Sequence, residues 1–262
     1  MIRTYLVNSS SQEHQRAGQQ LPPDFGNVSR GWAVFLNPEE FSSFDFHTNR
    51  LARLLLGRDL LRGEVGTALA HQAIYEDHLK QEDEWALVLE DDAKVLPSEF
   101  NKRIQAIIDS EVGEKHSTKP IVVLLGYHSN SVLLWPNKVL TRQLTIPTGT
   151  FGYLINKPAS STLRSDEKID FVADWPPASK KIKFFALNAP IVKHASSELS
   201  LIDQARDSVS RKSADADASS VLERLRSVSS INDLLLAWHF IIKRGTAFRF
   251  IFPLLRRVFR RF

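Results

Sequence analysis

The sequence contains no cysteine. That absence excludes a disulfide framework and thiolate chemistry, and it suits a reducing compartment. The opening residues, Met1 to His14, lack the apolar stretch of a secretory signal. No apolar run approaches the roughly 18 residues that a membrane-spanning helix needs. The expectation is therefore a cytoplasmic protein, soluble or peripheral on the inner face of the cytoplasmic membrane. Nor is there an internal repeat. From Lys243 to Phe262 there is no Asp or Glu, but there are seven Lys/Arg. Taking those seven from the net charge of +4 leaves −3 on residues 1–242. The basic balance belongs to the tail, and no nucleic-acid partner is expected for the body.

What is present suits one large domain with an appendage. A chain of 262 residues can bury a sizeable core without disulfides. Strand signals appear at Arg3–Val7, Gly31–Leu36, Trp85–Leu89, Ile121–Leu125, Leu133–Ile146, Phe151–Ile155, Ile182–Leu187 and Ile191–Val192. Helices are expected at Glu13–Gln20, Leu51–Leu61, Glu64–Lys80, Ser98–Asp109 (capped by Ser98) and Ala159–Ser165. The helix from Glu64 should turn Val65, Ala68, Leu69, Ala73 and Leu79 inward. Trp85–Leu89 reads as a central parallel strand buried on both faces. Strands and helices alternate to residue 110 and strands dominate afterwards, which predicts an α/β fold with a mixed sheet. The expected domain covers residues 1–203, followed by a polar linker at 204–220 and an amphipathic basic helical tail at 221–262.

One stretch carries chemistry. Leu87-Val88-Leu89 runs into Glu90-Asp91-Asp92, three adjacent carboxylates at the end of a buried strand. Ligands of parallel α/β sheets collect outside the carboxyl ends of strands. A hard divalent cation (Mn2+ or Mg2+) would relieve the repulsion there and bridge to a diphosphate. On its own, the triplet suits equally a solvated acidic turn ahead of the helix at Ser98.

Its context decides further. Gly63-Glu64-Val65-Gly66-Thr67-Ala68-Leu69-Ala70-His71 precedes the triplet by about twenty residues, and the triplet itself reads Leu89-Glu90-Asp91-Asp92-Ala93. Together they resemble the hallmark of glycosyltransferase family 25, the lipopolysaccharide-type galactosyl- and glucosyltransferases. Thr67 stands where the family pattern has Cys, and Ala70 where it has Ser. Tyr5-Leu6-Val7-Asn8 is similar to the family's first strand, with Arg16 as the counterpart in the segment that follows. Thr150-Phe151-Gly152-Tyr153-Leu154-Ile155, Ala173-Asp174-Trp175-Pro176 and Pro190-Ile191-Val192 with Ser200-Leu201-Ile202 resemble later elements.

The resemblance implies a GT-A-like fold and inverting transfer from a UDP-hexose to a lipid-linked oligosaccharide acceptor. It implies Asp92 as a direct metal ligand, with Glu90 and Asp91 toward ribose, sugar or bound water, and Asn8 and Arg16 toward the nucleotide. Inverting transfer needs a base for the acceptor hydroxyl. Asp174 is the candidate, since its apolar neighbours can raise a carboxylate pKa, and the adjacent Trp175 indole can stack on a sugar. Glu64 opens a helix, where its charge suits the dipole as readily as a sugar contact. His71 lies two turns along the same face and joins the nucleotide-sugar set on the strength of the motif. His194, after a strand, is a candidate to complete the metal shell.

The segment from Ile231 to Phe262 mixes Leu, Ile, Trp and Phe with the basic cluster, a composition suited to an anionic membrane surface. Two other functions stay open from sequence: a degenerate member that binds nucleotide sugar or glycan without turnover, and a metal-dependent phosphohydrolase.

Overall fold

The computed structural model describes residues 2–7, 28–32, 39, 41, 47–56, 58–91, 93–96, 100–110, 112, 118–127, 139–143, 146–147, 149–165, 168–173 and 175–194. The expected helix at Glu13–Gln20, the linker and the tail lie outside them.

Among the described residues, seven strands form one sheet and two form a small ribbon. In chain order the strands are β1 (Arg3–Val7), β2 (Val28–Trp32), β3 (Trp85–Glu90), β4 (Ala93–Val95), β5 (Ile121–Leu124), β6 (Leu140–Arg142), β7 (Gly152–Asn156), β8 (Lys183–Leu187) and β9 (Val192–His194). The helices are α1 (Arg50–Leu56), α2 (Arg62–Lys80), α3 (Phe100–Ile108) and α4 (Lys157–Leu163), with a 3-10 turn at Pro177–Lys181. The main sheet runs β2-β1-β3-β7-β5-β8-β6. β1 pairs in parallel with β2 and β3, and β5 in parallel with β8. β7 runs antiparallel between β3 and β5, and β6 is antiparallel at the edge. The mixed sheet is as expected, but β3 has only one parallel neighbour. β7 enters as an antiparallel insert that no local pattern announces.

Side chains alternate across β3, as strand geometry requires. Ala86 and Val88 join the core that also contains Tyr5, Val65, Ile74, Tyr153 and Ile155. Trp85, Leu87 and Leu89 join the opposite core with Phe100, Ile104 and Ile107. The sheet is thus covered by α2 and α4 on one face and by α3 on the other. On α2 the buried stripe is Val65, Ala68, His71, Ile74, Tyr75 and His78. The expected inward residues Leu69, Ala73 and Leu79 sit half-buried at its margins. The stripe contains two histidines, which an apolar count passes over.

Several boundaries move for identifiable reasons. α1 stops at Leu56, and Arg58 beyond it pairs with Glu64. α2 starts two residues early because Glu64 is its third residue, and its carboxylate accepts the Leu61 N–H at 2.9 Å, the reciprocal half of a capping box. Leucine has no acceptor for the other half. β2 begins at Val28, three residues before the expected strand. α4 begins at Lys157, capped by Asn156, whose Oδ1 accepts from Ala159 N and Ile121 N while its Nδ2 donates to the Lys119 carbonyl. One side chain thereby joins the end of β7, the start of α4 and the start of β5. Of the broad signal at Leu133–Ile146, Leu140–Arg142 is strand.

His78 closes the last turn of α2 and is fully buried. Its Nε2 lies 3.1 Å from the Asp83 carbonyl, which can only accept, so Nε2 carries the proton and Nδ1 accepts from Ser160 Oγ at 2.8 Å. Burial pulls the imidazole pKa down from 6.5 to about 4; Lys157 adds to this, while Asp83 and Asp77 oppose it. Between those values the unfolded chain binds the proton that the folded one refuses. Stability should therefore fall as pH drops from 6.5 toward 4, by up to about 3 kcal/mol from this residue. Urea titrations at several pH values should show a slope that His78→Gln flattens. An equal slope in both proteins would assign the pH dependence elsewhere.

Candidate functional site

The alternation that sorts the core also builds the site. Glu90 ends β3 with the parity of Ala86 and Val88, so its side chain faces the α2 side, and there it meets His71. The His71 Nε2 lies 3.5 Å from Glu90 Oε1, with side-chain exposures of 2% and 19%. At that length the contact is electrostatic and not a formed hydrogen bond, and His71 Nε2 has no hydrogen-bond partner. The Thr150 hydroxyl donates to the same Glu90 oxygen, and the Glu90 N–H donates to the Phe151 carbonyl at 3.1 Å. Asp91 follows in a turn, half-buried.

Behind His71 the polar chain continues inward. His71 Nδ1 is 2.8 Å from the Tyr153 hydroxyl, which is 3.2 Å from that of Tyr75. Burial pushes both tyrosine pKa values well above the usual phenol range, so both hydroxyls stay protonated. The Tyr153 ring stacks on His71 at 5.9 Å and meets the Trp175 indole edge-on at 5.0 Å.

Trp175 corrects an expectation. Its indole is fully buried, packed on Tyr153 and on Phe184, and its N–H donates to the Gly149 carbonyl at 3.1 Å. It cannot stack on a sugar from there. Its backbone has φ 59°, the only positive value at a non-glycine residue among those described. A bulky residue held in that region is strained by roughly 1–3 kcal/mol, and here the strain turns the indole into the core. Gly149, at φ 86°, occupies the same region without that penalty.

Glu64 is committed to the fold. It is 2% exposed, and its two carboxylate oxygens each receive an Arg58 N–H at 2.7 Å. A buried carboxylate needs such partners. The alternative of a helix-start charge is therefore realised, strengthened by a bidentate cation.

Asp92, Asn8, Arg16 and Asp174 lie outside the described residues, as does the side chain of His194. β4 starts at Ala93, directly after Asp92, and pairs antiparallel with β9 in the register Ala93↔His194, Lys94↔Lys193, Val95↔Val192. The chain at His194 therefore runs opposite the residue that follows Asp92. A donor set of Asp92 and His194 is of oxygen and imidazole type, which fits a divalent cation such as manganese. Among the described residues alone, no group of three or more His, Asp or Glu could hold a metal ion.

Thr150, Tyr153 and Tyr75 are the functional neighbours that sequence reasoning passed over. Thr150 and Tyr153 belong to a strand signal, and only the pairing of β7 with β3 reveals what they touch. No helix of the described residues is long and apolar enough to cross a membrane.

A family model described as "Glycosyltransferase family 25 (LPS biosynthesis protein)" matches residues 36–168. No curated protein matches the chain. Solved structures with similar coordinates include a UDP-glucose pyrophosphorylase complexed with UDP-glucose, at 10% identity and TM-score 0.38, covering 81% of this chain and 100% of that one. The apo form of a UDP-glucose pyrophosphorylase gives 9% and 0.36 over 81% and 99%. The inositol-1-phosphate CTP transferase from T. maritima gives 16% and 0.33 over 80% and 96%. At that level of similarity none of them bears on the chemistry.

Proposed function

This chain belongs to glycosyltransferase family 25, and from that premise we propose that it transfers a hexose, galactose or glucose, from a UDP-sugar to a lipopolysaccharide or lipooligosaccharide core glycan. The observation that carries the reading is the built acidic end of β3. Glu90 is held there by Thr150 and His71, and the β4–β9 ribbon follows at once. An acidic triplet that was merely a solvated turn would not need a buried imidazole and a buried hydroxyl aimed at its first member.

In the proposed reaction the acceptor hydroxyl oxygen bonds to the anomeric carbon of the donor as the bond from that carbon to the β-phosphate oxygen breaks. UDP leaves, and configuration inverts. Asp174 takes the acceptor proton from the face opposite the leaving group. Glu90 and Asp91 accept from ribose or sugar hydroxyls, and Asn8 and Arg16 contact the nucleotide. His71 orients Glu90 from within, and Glu64 contributes through the helix start it holds. Asp92 and His194 would hold the divalent cation, which when bound offsets the charge that develops on the diphosphate. The sheet order, with β7 inserted antiparallel beside β3, supports a GT-A-like assignment. The basic, aromatic segment 231–262 supports a place on the inner face of the cytoplasmic membrane, close to a lipid-linked acceptor.

Titrating UDP, UDP-galactose and UDP-glucose into the full-length protein, with and without manganese, tests this. Manganese-dependent binding of a UDP-hexose is expected. Consumption of the donor without a glycan product would replace the reading with a hydrolase. Binding without turnover across a broad acceptor set would leave a binding module. Absence of binding in every condition would remove the nucleotide-sugar site.

A further inference from the structure

The buried chain Tyr75–Tyr153–His71–Glu90 has a direction. His71 Nε2 is buried without a hydrogen-bond partner and faces Glu90 Oε1 at 3.5 Å. When the ring is neutral, two tautomers are available. With the proton on Nδ1, a bare nitrogen lone pair would face a carboxylate oxygen, acceptor against acceptor. With the proton on Nε2, an N–H points at that oxygen. The second arrangement is favoured electrostatically in a low-dielectric interior. It requires Nδ1 to accept, so the Tyr153 hydroxyl must donate across its 2.8 Å contact. The Tyr153 oxygen is then an acceptor, and the Tyr75 hydroxyl at 3.2 Å supplies the donor.

We propose that Tyr153 is a positioning residue of the donor site: its hydroxyl fixes the Nε2–H tautomer of His71 and so aims an N–H at the carboxylate of Glu90. Tyr153 also reaches Glu90 by a second route. Its ring packs on Trp175, whose indole N–H holds the Gly149 carbonyl, and Thr150 beside it donates to Glu90. Both branches converge on Glu90 from inside the fold. The inference rests on the proposed role of Glu90 as a nucleotide-sugar contact, while the tautomer itself does not depend on that role.

The test uses the full chain labelled with nitrogen-15 at its eight histidines. Long-range proton–nitrogen spectra distinguish the two tautomers, and His71→Gln identifies the His71 signals. The wild type should show the Nε2–H form. Tyr153→Phe keeps the ring and removes the donor, so it should mix or invert the tautomer and weaken UDP-hexose binding about 10-fold. Tyr75→Phe should leave the tautomer in place, because Tyr153 can still donate. A wild-type Nδ1–H form overturns the proposal, even if Tyr153→Phe does not fold. So does a Tyr153→Phe protein with unchanged tautomer, or one with altered tautomer and unchanged affinity. If the wild type binds no UDP-hexose, the proposed function and the positioning role both fail, while an Nε2–H signal lost in Tyr153→Phe would still establish the relay.

Discussion

Asp92→Ala should abolish manganese-dependent binding of UDP-hexose, a loss of about 100-fold or more in affinity, while the circular dichroism spectrum and thermal midpoint stay close to wild type. Glu90, Asp91 and Asp92 are adjacent, and each needs compensation at neutral pH. Glu90 receives the Thr150 hydroxyl and faces His71. Asp92 precedes Ala93 in the sequence, and Ala93 pairs with His194 in the β4–β9 register. On the proposed reading, a cation held by Asp92 would supply the compensation that the protein's own side chains give Glu90. Without that carboxylate the cation loses its anionic ligand and the diphosphate its counter-charge. Removing the cation from the wild type with a chelator should reproduce the variant. If Asp92→Ala binds donor with wild-type affinity and metal dependence, the ligand assignment is wrong.

Gly126→Ala should be the most destabilising single-methyl substitution among the described glycines, at about 3 kcal/mol. An added Cβ would lie 2.3 Å from the Val192 carbonyl oxygen and 2.4 Å from Phe151 Cε2. A backbone carbonyl cannot rotate away as a side chain can. The same segment is pinned to β5, since the Leu125 carbonyl accepts from both Ile191 N at 2.9 Å and Val192 N at 3.1 Å. The methyl must therefore push the start of β9 off the sheet, and donor binding should fail along with stability. Gly152→Ala is the contrast: its Cβ would meet side-chain atoms of Val192, at 2.8 Å and beyond, and no backbone carbonyl. Chemical denaturation of the two variants ranks them. Equal costs would mean that β9 moves freely and the close approach constrains nothing.

Much of this fold was legible in the sequence for physical reasons. Trp85–Leu89 is a continuous apolar run because both faces of β3 are covered, one by α2 and the other by α3. The motif from Gly63 to His71 reads as the start of a helix because Glu64 caps it. What stayed hidden is non-local or too short to carry a pattern. Ala93–Val95 has three residues, below the length at which alternation means anything, and its partner lies at Val192–His194. The antiparallel entry of β7 between β3 and β5 is a choice of topology, with no residue-level signature. From sequence, Trp175 reads as a ligand platform beside a carboxylate. Only its φ of 59° and its contacts with Tyr153 and Phe184 reveal that it faces inward. His71 was found by its motif, but its hydroxyl partner is far away in the chain and invisible to any local reading.

The β4–β9 ribbon has a consequence for how activity is acquired and lost. Its two strands are three residues long, and joining them closes a loop of roughly 100 residues, an ordering cost that comes before any reward. The large sheet has far more contact to nucleate on, and α2 and β3 are neighbours in sequence. Among the described residues, this ribbon is therefore the pairing expected to form last. During synthesis, a chain that has emerged only as far as β8 has the strands of the sheet and the residues of the Glu90 network yet lacks β9 and so the ribbon. Mild denaturant should open the ribbon before the core melts, silencing the enzyme while it is still folded.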